Sequence, residues 1–269
     1  SYGRSATALF RQSQHKPPEK VDVIGFAPFF EEFSPTLAQN ENVVRGEAGP
    51  LVWSKTELDQ IAQHFATRQL TGDQASENEV IENAQHYEVI HMASHGFTND
   101  RAPMASKILL SSKNDSSAND GILNAREVYG LQLPAEMVVL SACFSGKGSI
   151  SSGEGLISLA NGFFYAGSKN VIMTLWQAND RSTADLMGDY YRYLADGKNK
   201  DESLRLAKMN YLSNADNIRA HPYFCALFVR NGNQKPLIKK GVSSFVWLIL
   251  GVVVLILLAV AVRKSATAH

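Results

Sequence analysis

A histidine and a cysteine, each closing an apolar stretch, are the residues of this sequence best suited to do chemistry together. His95 follows EVIHMAS and Cys143 follows MVVLSA. If the two stretches are neighbouring strands, imidazole and thiol meet across one crevice. An imidazole can take the thiol proton, or stabilise the thiolate as its cation, and so activate a nucleophile. As imidazolium it can then protonate a leaving amine. Gly96 and Gly146 follow within a few residues, where backbone turns tightly or approaches a ligand. The backbone N–H groups of Cys143 and Gly96 can serve as an oxyanion hole for a polarised carbonyl.

Each residue also has a plainer reading. A lone cysteine at a strand end is commonly core. With two cysteines, Cys143 and Cys225, neither a disulfide framework nor a zinc finger can be built. They read as separate thiols in a reducing compartment, with a single bridge as the weaker alternative. His91 lies inside its strand and reads as a hydrogen-bonded structural histidine. The i, i+4 spacing of His91 and His95 resembles a zincin pair, but Met92 stands where the glutamate belongs. Metal is therefore disfavoured, and no cofactor is expected. Gly146-Lys147-Gly148 lacks P-loop spacing, and no G-x-S-x-G elbow occurs.

The elements that must position the pair follow from hydropathy. Apolar runs of strand length occur at residues 21–29, 88–93, 137–142, 170–176 and 224–230. Helical patterns occupy 155–166, 181–194 and 202–212, and two more open at Ser54 and Ser76. Glu57 and Glu79 stand three residues after those serines, in capping-box spacing. Strands apolar throughout and separated by helices imply a mostly parallel sheet covered on both faces, a three-layer αβα sandwich of the α/β class. In such sheets function sits beyond the carboxyl ends of the strands.

The 269 residues carry 26 basic and 26 acidic side chains. Zero net charge removes the basic footprint of a nucleic-acid binder. The composition, 45% hydrophobic, excludes a disordered chain. Residues 1–20 read as a linker from a region further upstream, because Pro17-Pro18 forbids helix and ladder. Residues 21–235 read as the folded domain. FVWLILGVVVLILLAVAV (245–262) has no charge and no proline. At about 1.5 Å per residue it spans roughly 27 Å, close to the hydrocarbon core of a bilayer. A membrane helix over 242–262 and a polar tail over 263–269 are expected. Lys239 and Lys240 flank one end, Arg263 and Lys264 the other, so the basic pairs leave orientation open.

Taken together, the motifs resemble the CHAT domain, a branch of the caspase-like (clan CD) cysteine peptidases. The stretches that carry the resemblance are YEVIHMASHGF (87–97), GILNAREVYGLQLP (121–134), VVLSACFSGKG (138–148), the run from Gly153 to Met187, and HPYFCALFVRNG (221–232). His95 precedes Cys143 by 48 positions, near the roughly 50 seen in caspases.

The resemblance implies a cysteine endopeptidase with a caspase-like sheet and a dyad of His95 and Cys143. It implies an oxyanion hole at Gly96 and Cys143, and a protein substrate. It also implies an activating partner or an upstream TPR-type module, and a bacterial, cytoplasmic-side setting in signalling or defence. Relatives including separase hold a basic P1 side chain with an acid placed after the strand that follows the cysteine. Asp180 of QANDRS matches that acid, and the same residue reads equally as a helix N-cap. Glu154 is a second acid near Cys143, read first as a charge in the opening turn of a helix. Such families carry an aromatic, often Trp, where this sequence has Cys225, which puts the wall of the cleft in question. Two rival readings are a catalytically silent docking domain at a membrane and a different thiol hydrolase such as an amidase.

Overall fold

The computed structural model describes residues 17–28, 50–112, 119–144, 154–176 and 179–238. The expected membrane helix (242–262), the tail (263–269) and the first 16 residues of the linker lie outside them. Among the described residues no helix is long and apolar enough to cross a membrane.

One sheet organises the chain. Its main path runs β2 (Ala66–Thr71), β1 (Asp22–Ala27), β3 (Val89–Phe97), β6 (Met137–Phe144), β7 (Asn170–Thr174) and β8 (Phe228–Gly232). The pairings are parallel as far as β7, and β8 closes that edge antiparallel. Off the path, β4 (Lys107–Leu109) pairs antiparallel with the end of β3 and with β5 (Ile122–Asn124).

Both faces of the sheet are covered, as its apolar strands require. On one face, Ile24, Ile90, Met92, Val138 and Leu140 pack under α2 (Glu77–Asn83), α3 (Ala125–Gly130) and α4 (Glu154–Tyr165). On the other, Val23, Val89, Met137 and Val139 pack under α1 (Ser54–Ala62), α5 (Asp180–Ala195) and α6 (Lys200–Asn214). The expected three layers and mostly parallel sheet are present. Gly25 lets α1 lie close against β1: a Cβ there would come within 2.5 Å of Leu58 Cδ2.

Several local expectations are corrected. Strands β3 and β6 run past the apolar stretches, so His95, Gly96 and Cys143 lie within strands rather than in turns after them. Ser54 does not cap α1. The N-cap is Trp53, and the Ser54 hydroxyl donates instead to Leu51 O at 2.6 Å. Ser76 does cap α2, accepting from Glu79 N–H at 3.3 Å. The Glu79 carboxylate turns away to Arg68 and Asn83, so that box is half made. A complete box opens α3, between Asn124 and Glu127. The last strand starts at Phe228, not Phe224, because Pro222–Phe224 form a 3₁₀ turn. Strand β2 had no apolar signature, since an edge strand buries little beyond Leu70.

The α1 face holds a polar cluster inside the core. His91 is fully buried, with Nε2 2.9 Å from Glu57 Oε1 in ion-pair range but without hydrogen-bond alignment. Its Nδ1 lies 3.0 Å from the Tyr191 hydroxyl. Burial, with Tyr190 and Glu57 adding to it, holds the Tyr191 phenol well above its usual range. Removing one partner of a buried ionisable pair strands the other and costs about 3–5 kcal/mol. His91→Leu is therefore expected to lose that much in urea unfolding, and Glu57→Leu/His91→Leu to recover a large share. A single-variant loss below about 1 kcal/mol, the scale of an exposed pair, would show that the pair does not hold α1 to β3.

Candidate active site

The site begins with a register. Parallel strands β3 and β6 pair continuously from Val89↔Met137 to Gly96↔Phe144, and within that ladder His95 is the Cα partner of Cys143. Successive strand residues alternate between faces. Val89 and Met137 both pack on the α1–α5–α6 face. His95, six residues further along β3, falls on that same face. His95 is buried, 7% exposed. Ser94, on the opposite face, donates its hydroxyl to Leu109 O. Gly96 sits between β6 and β4.

Asp180 lies at the same carboxyl end of the sheet, beyond β7. Strand β7 is tied to β6 there by the Thr174 hydroxyl, which donates to Ala142 O. Asp180 is not the cap of its own helix. Asn179 is, accepting from Ser182 N–H at 3.1 Å. Asp180 is instead the first residue of α5, and its Oδ2 accepts the Trp53 N–H at 2.7 Å. It thus supplies α1 with the side-chain acceptor that Trp53 lacks at that N-terminus. Burial pushes the Asp180 carboxyl up to about 6, against the Trp53 N–H and with help from the charge of Glu57. Arg181 turns to the Trp53 indole, its Cζ 5.1 Å from the ring centroid. Glu154 is the first residue of α4.

Three aromatics, Trp176, Tyr223 and Trp53, were given no part in the reading of the sequence. Trp176, just past β7, stacks on Tyr223 at 6.0 Å and 28°, and its Nε1–H donates to Tyr223 O at 2.9 Å. Tyr223 is 46% exposed. An aromatic face is therefore present at this edge although Cys225 occupies the expected aromatic position. Trp53 was hidden because it precedes a helix rather than following a strand. Cys225 itself is buried and free, and burial pushes its thiol up, the environment of an inert cysteine.

The family model described as the CHAT domain matches residues 2–233. The chain belongs to the CHAT domain family. Among solved structures, the Arg specific cysteine proteinase gingipain R matches with a TM-score of 0.52 at 8% identity. The match covers 87% of this chain and 52% of gingipain R. A separase–securin complex from Saccharomyces cerevisiae matches at 0.48 and 12% identity, over 84% of this chain but 13% of the other. The chain thus spans about half of gingipain R and a small part of the separase chain. No curated protein matches it. The CHAT chain shares its α/β fold with gingipain R, a mostly parallel mixed sheet with helices on both sides.

The Asp180 environment predicts a pH signature in this CHAT domain. A carboxyl raised from 3.8 to about 6 on folding binds its proton more tightly in the native state. Native stability therefore falls as pH rises between those values. The melting temperature of the native chain, relative to Asp180→Asn, is expected to drop from pH 4 to pH 6 and then level off. A difference that stays constant across this range would mean that Asp180 keeps an ordinary carboxyl.

Proposed function

We propose that this CHAT domain is a cysteine endopeptidase in which His95 and Cys143 form the dyad. The register pairing of those two positions on β3 and β6 is the observation that carries the reading. In this mechanism His95 takes the Cys143 proton and the sulfur attacks the scissile carbonyl carbon. The C–N bond breaks as the imidazolium protonates the departing amine, leaving a thioester. Water, deprotonated by His95, then cleaves the C–S bond, and the thiol recovers its proton. The N–H groups of Gly96 and Cys143 serve the developing oxyanion.

Asp180 is assigned to a basic P1 side chain, with Glu154 as a second acid. A half-buried carboxylate backed by the charge of Glu57 favours a substrate cation over a neutral side chain. The apolar run 245–262 would tether the domain to a membrane. A partner or an upstream module would supply the trigger.

Acyloxymethyl ketones bearing Arg, Lys, Leu or Asp at P1, applied to the full chain, test this reading. Mass spectrometry is expected to place the adduct on Cys143. The Arg and Lys probes should react fastest at pH above about 6, where Asp180 is charged, and His95→Ala should slow labelling by about a hundredfold or more, the scale of general-base catalysis. An adduct on Cys225, or labelling indifferent to His95, would overturn the dyad. Cellular function retained by Cys143→Ala would favour the docking-domain reading.

A further inference from the structure

An acid meant for a substrate cation must not be neutralised by a cation of its own chain. Here the nearest candidate is the next residue, Arg181. Yet no ion pair joins Asp180 to Arg181, or to any other cation, among the described residues. The reason lies in one residue of the turn before α1. Trp53 gives its backbone N–H to Asp180 Oδ2 at 2.7 Å, and the face of its indole holds the Arg181 guanidinium 5.1 Å from the ring centroid. One contact fixes the carboxylate and the other parks the competing charge. An indole face attracts a guanidinium through the ring quadrupole, which gives the Arg181 charge a partner other than Asp180. Glu57, a turn further along α1, adds negative charge to the same place, and is itself anchored by His91.

We propose that Trp53 is the positioning residue for P1 recognition: it orients the Asp180 carboxylate and keeps Arg181 off it, leaving the acid for a Lys or Arg side chain of a peptide substrate. This rests on the assignment of Asp180 under the proposed function. Trp53 does not touch the reacting atoms and does no chemistry on the scissile bond. Its side chain works on Arg181 and its backbone on Asp180, so the two actions separate on substitution.

The test compares labelling rates of Arg-P1 and Leu-P1 ketone probes on the full chain. Trp53→Ala keeps the N–H but frees Arg181, and is expected to cut the Arg-to-Leu rate ratio about tenfold, a 1.4 kcal/mol change in discrimination. Arg181→Gln added to Trp53→Ala is expected to restore the ratio, and Trp53→Phe to keep most of it. A residue needed only for folding would not be rescued by removing a charge. The Asp180 carboxyl resonance gives a readout free of catalysis. Its titration near pH 6 should move down in Trp53→Ala, as the guanidinium pairs with it, and return in the double variant.

An unmoved titration in Trp53→Ala, or a lost ratio that the double variant fails to restore, would overturn the inference. If Trp53→Ala leaves the ratio unchanged while Asp180→Asn abolishes it, the inference falls and the P1 assignment stands. If Asp180→Asn also leaves the ratio unchanged, both fall.

Discussion

The ladder between β3 and β6 is the constraint on which the rest of this molecule depends. Eight consecutive residue pairs run in register, and both strands are buried on both faces. Register in a strand is exacting, because a slip of one residue sends every side chain to the opposite face. The polar cluster on β3 sharpens that penalty. A slipped β3 would carry His91 from Glu57 and Tyr191 into the apolar company of Ile24, Phe26 and Leu140, and would leave the Glu57 carboxyl buried without it. The same pairing that satisfies the core therefore brings positions 95 and 143 level. The level placing of these two positions is a consequence of the core.

Helix α1 links this core to the carboxyl edge of the sheet. Leu58 and Ile61 bury against the strands, Glu57 reaches His91, and the first turn hands its N–H to Asp180. Helix α5, packed on the same face of the sheet, adds Tyr191 on His91 and Arg181 on Trp53. Packing that fixes α1 on β3 thereby also fixes the surroundings of Asp180. The charge of Glu57 reaches Asp180 there, and the adjacent arginine is held on an aromatic ring. Trp176 and Tyr223 add a partly exposed aromatic face beyond β7.

Much of this was legible in the sequence for identifiable reasons. Strands β1, β3, β6 and β7 are apolar on both faces, so their runs stand out whatever the context. His95 and Cys143 could be paired because each closes such a run. What escaped lacked a local signal. Strand β2 is a half-exposed edge, and its partner is chosen by β1. The true ends of β3 and β6 depend on pairing, since HGF and CF read as post-strand segments until β4 and β6 are set beside them. The box expected at Ser54 failed because Glu57 is drawn into the core by His91, a contact between residues far apart in the chain. Asp180 was read as a cap of its own helix or as a substrate acid. Its bond to Trp53, 127 positions away, is a tertiary fact that no spacing rule contains.

The most direct measurement of the central claim is the pH dependence of Cys143 alkylation by iodoacetamide, followed peptide by peptide in the full chain and in His95→Ala. If His95 and Cys143 act as one unit, Cys143 reacts through a limb below the ordinary thiol range near 8.5, and that limb disappears with His95 while the profile of Cys225 stays where it was. A Cys143 profile with a single ordinary thiol inflection, the same with and without His95, would contradict the pairing on which the account stands.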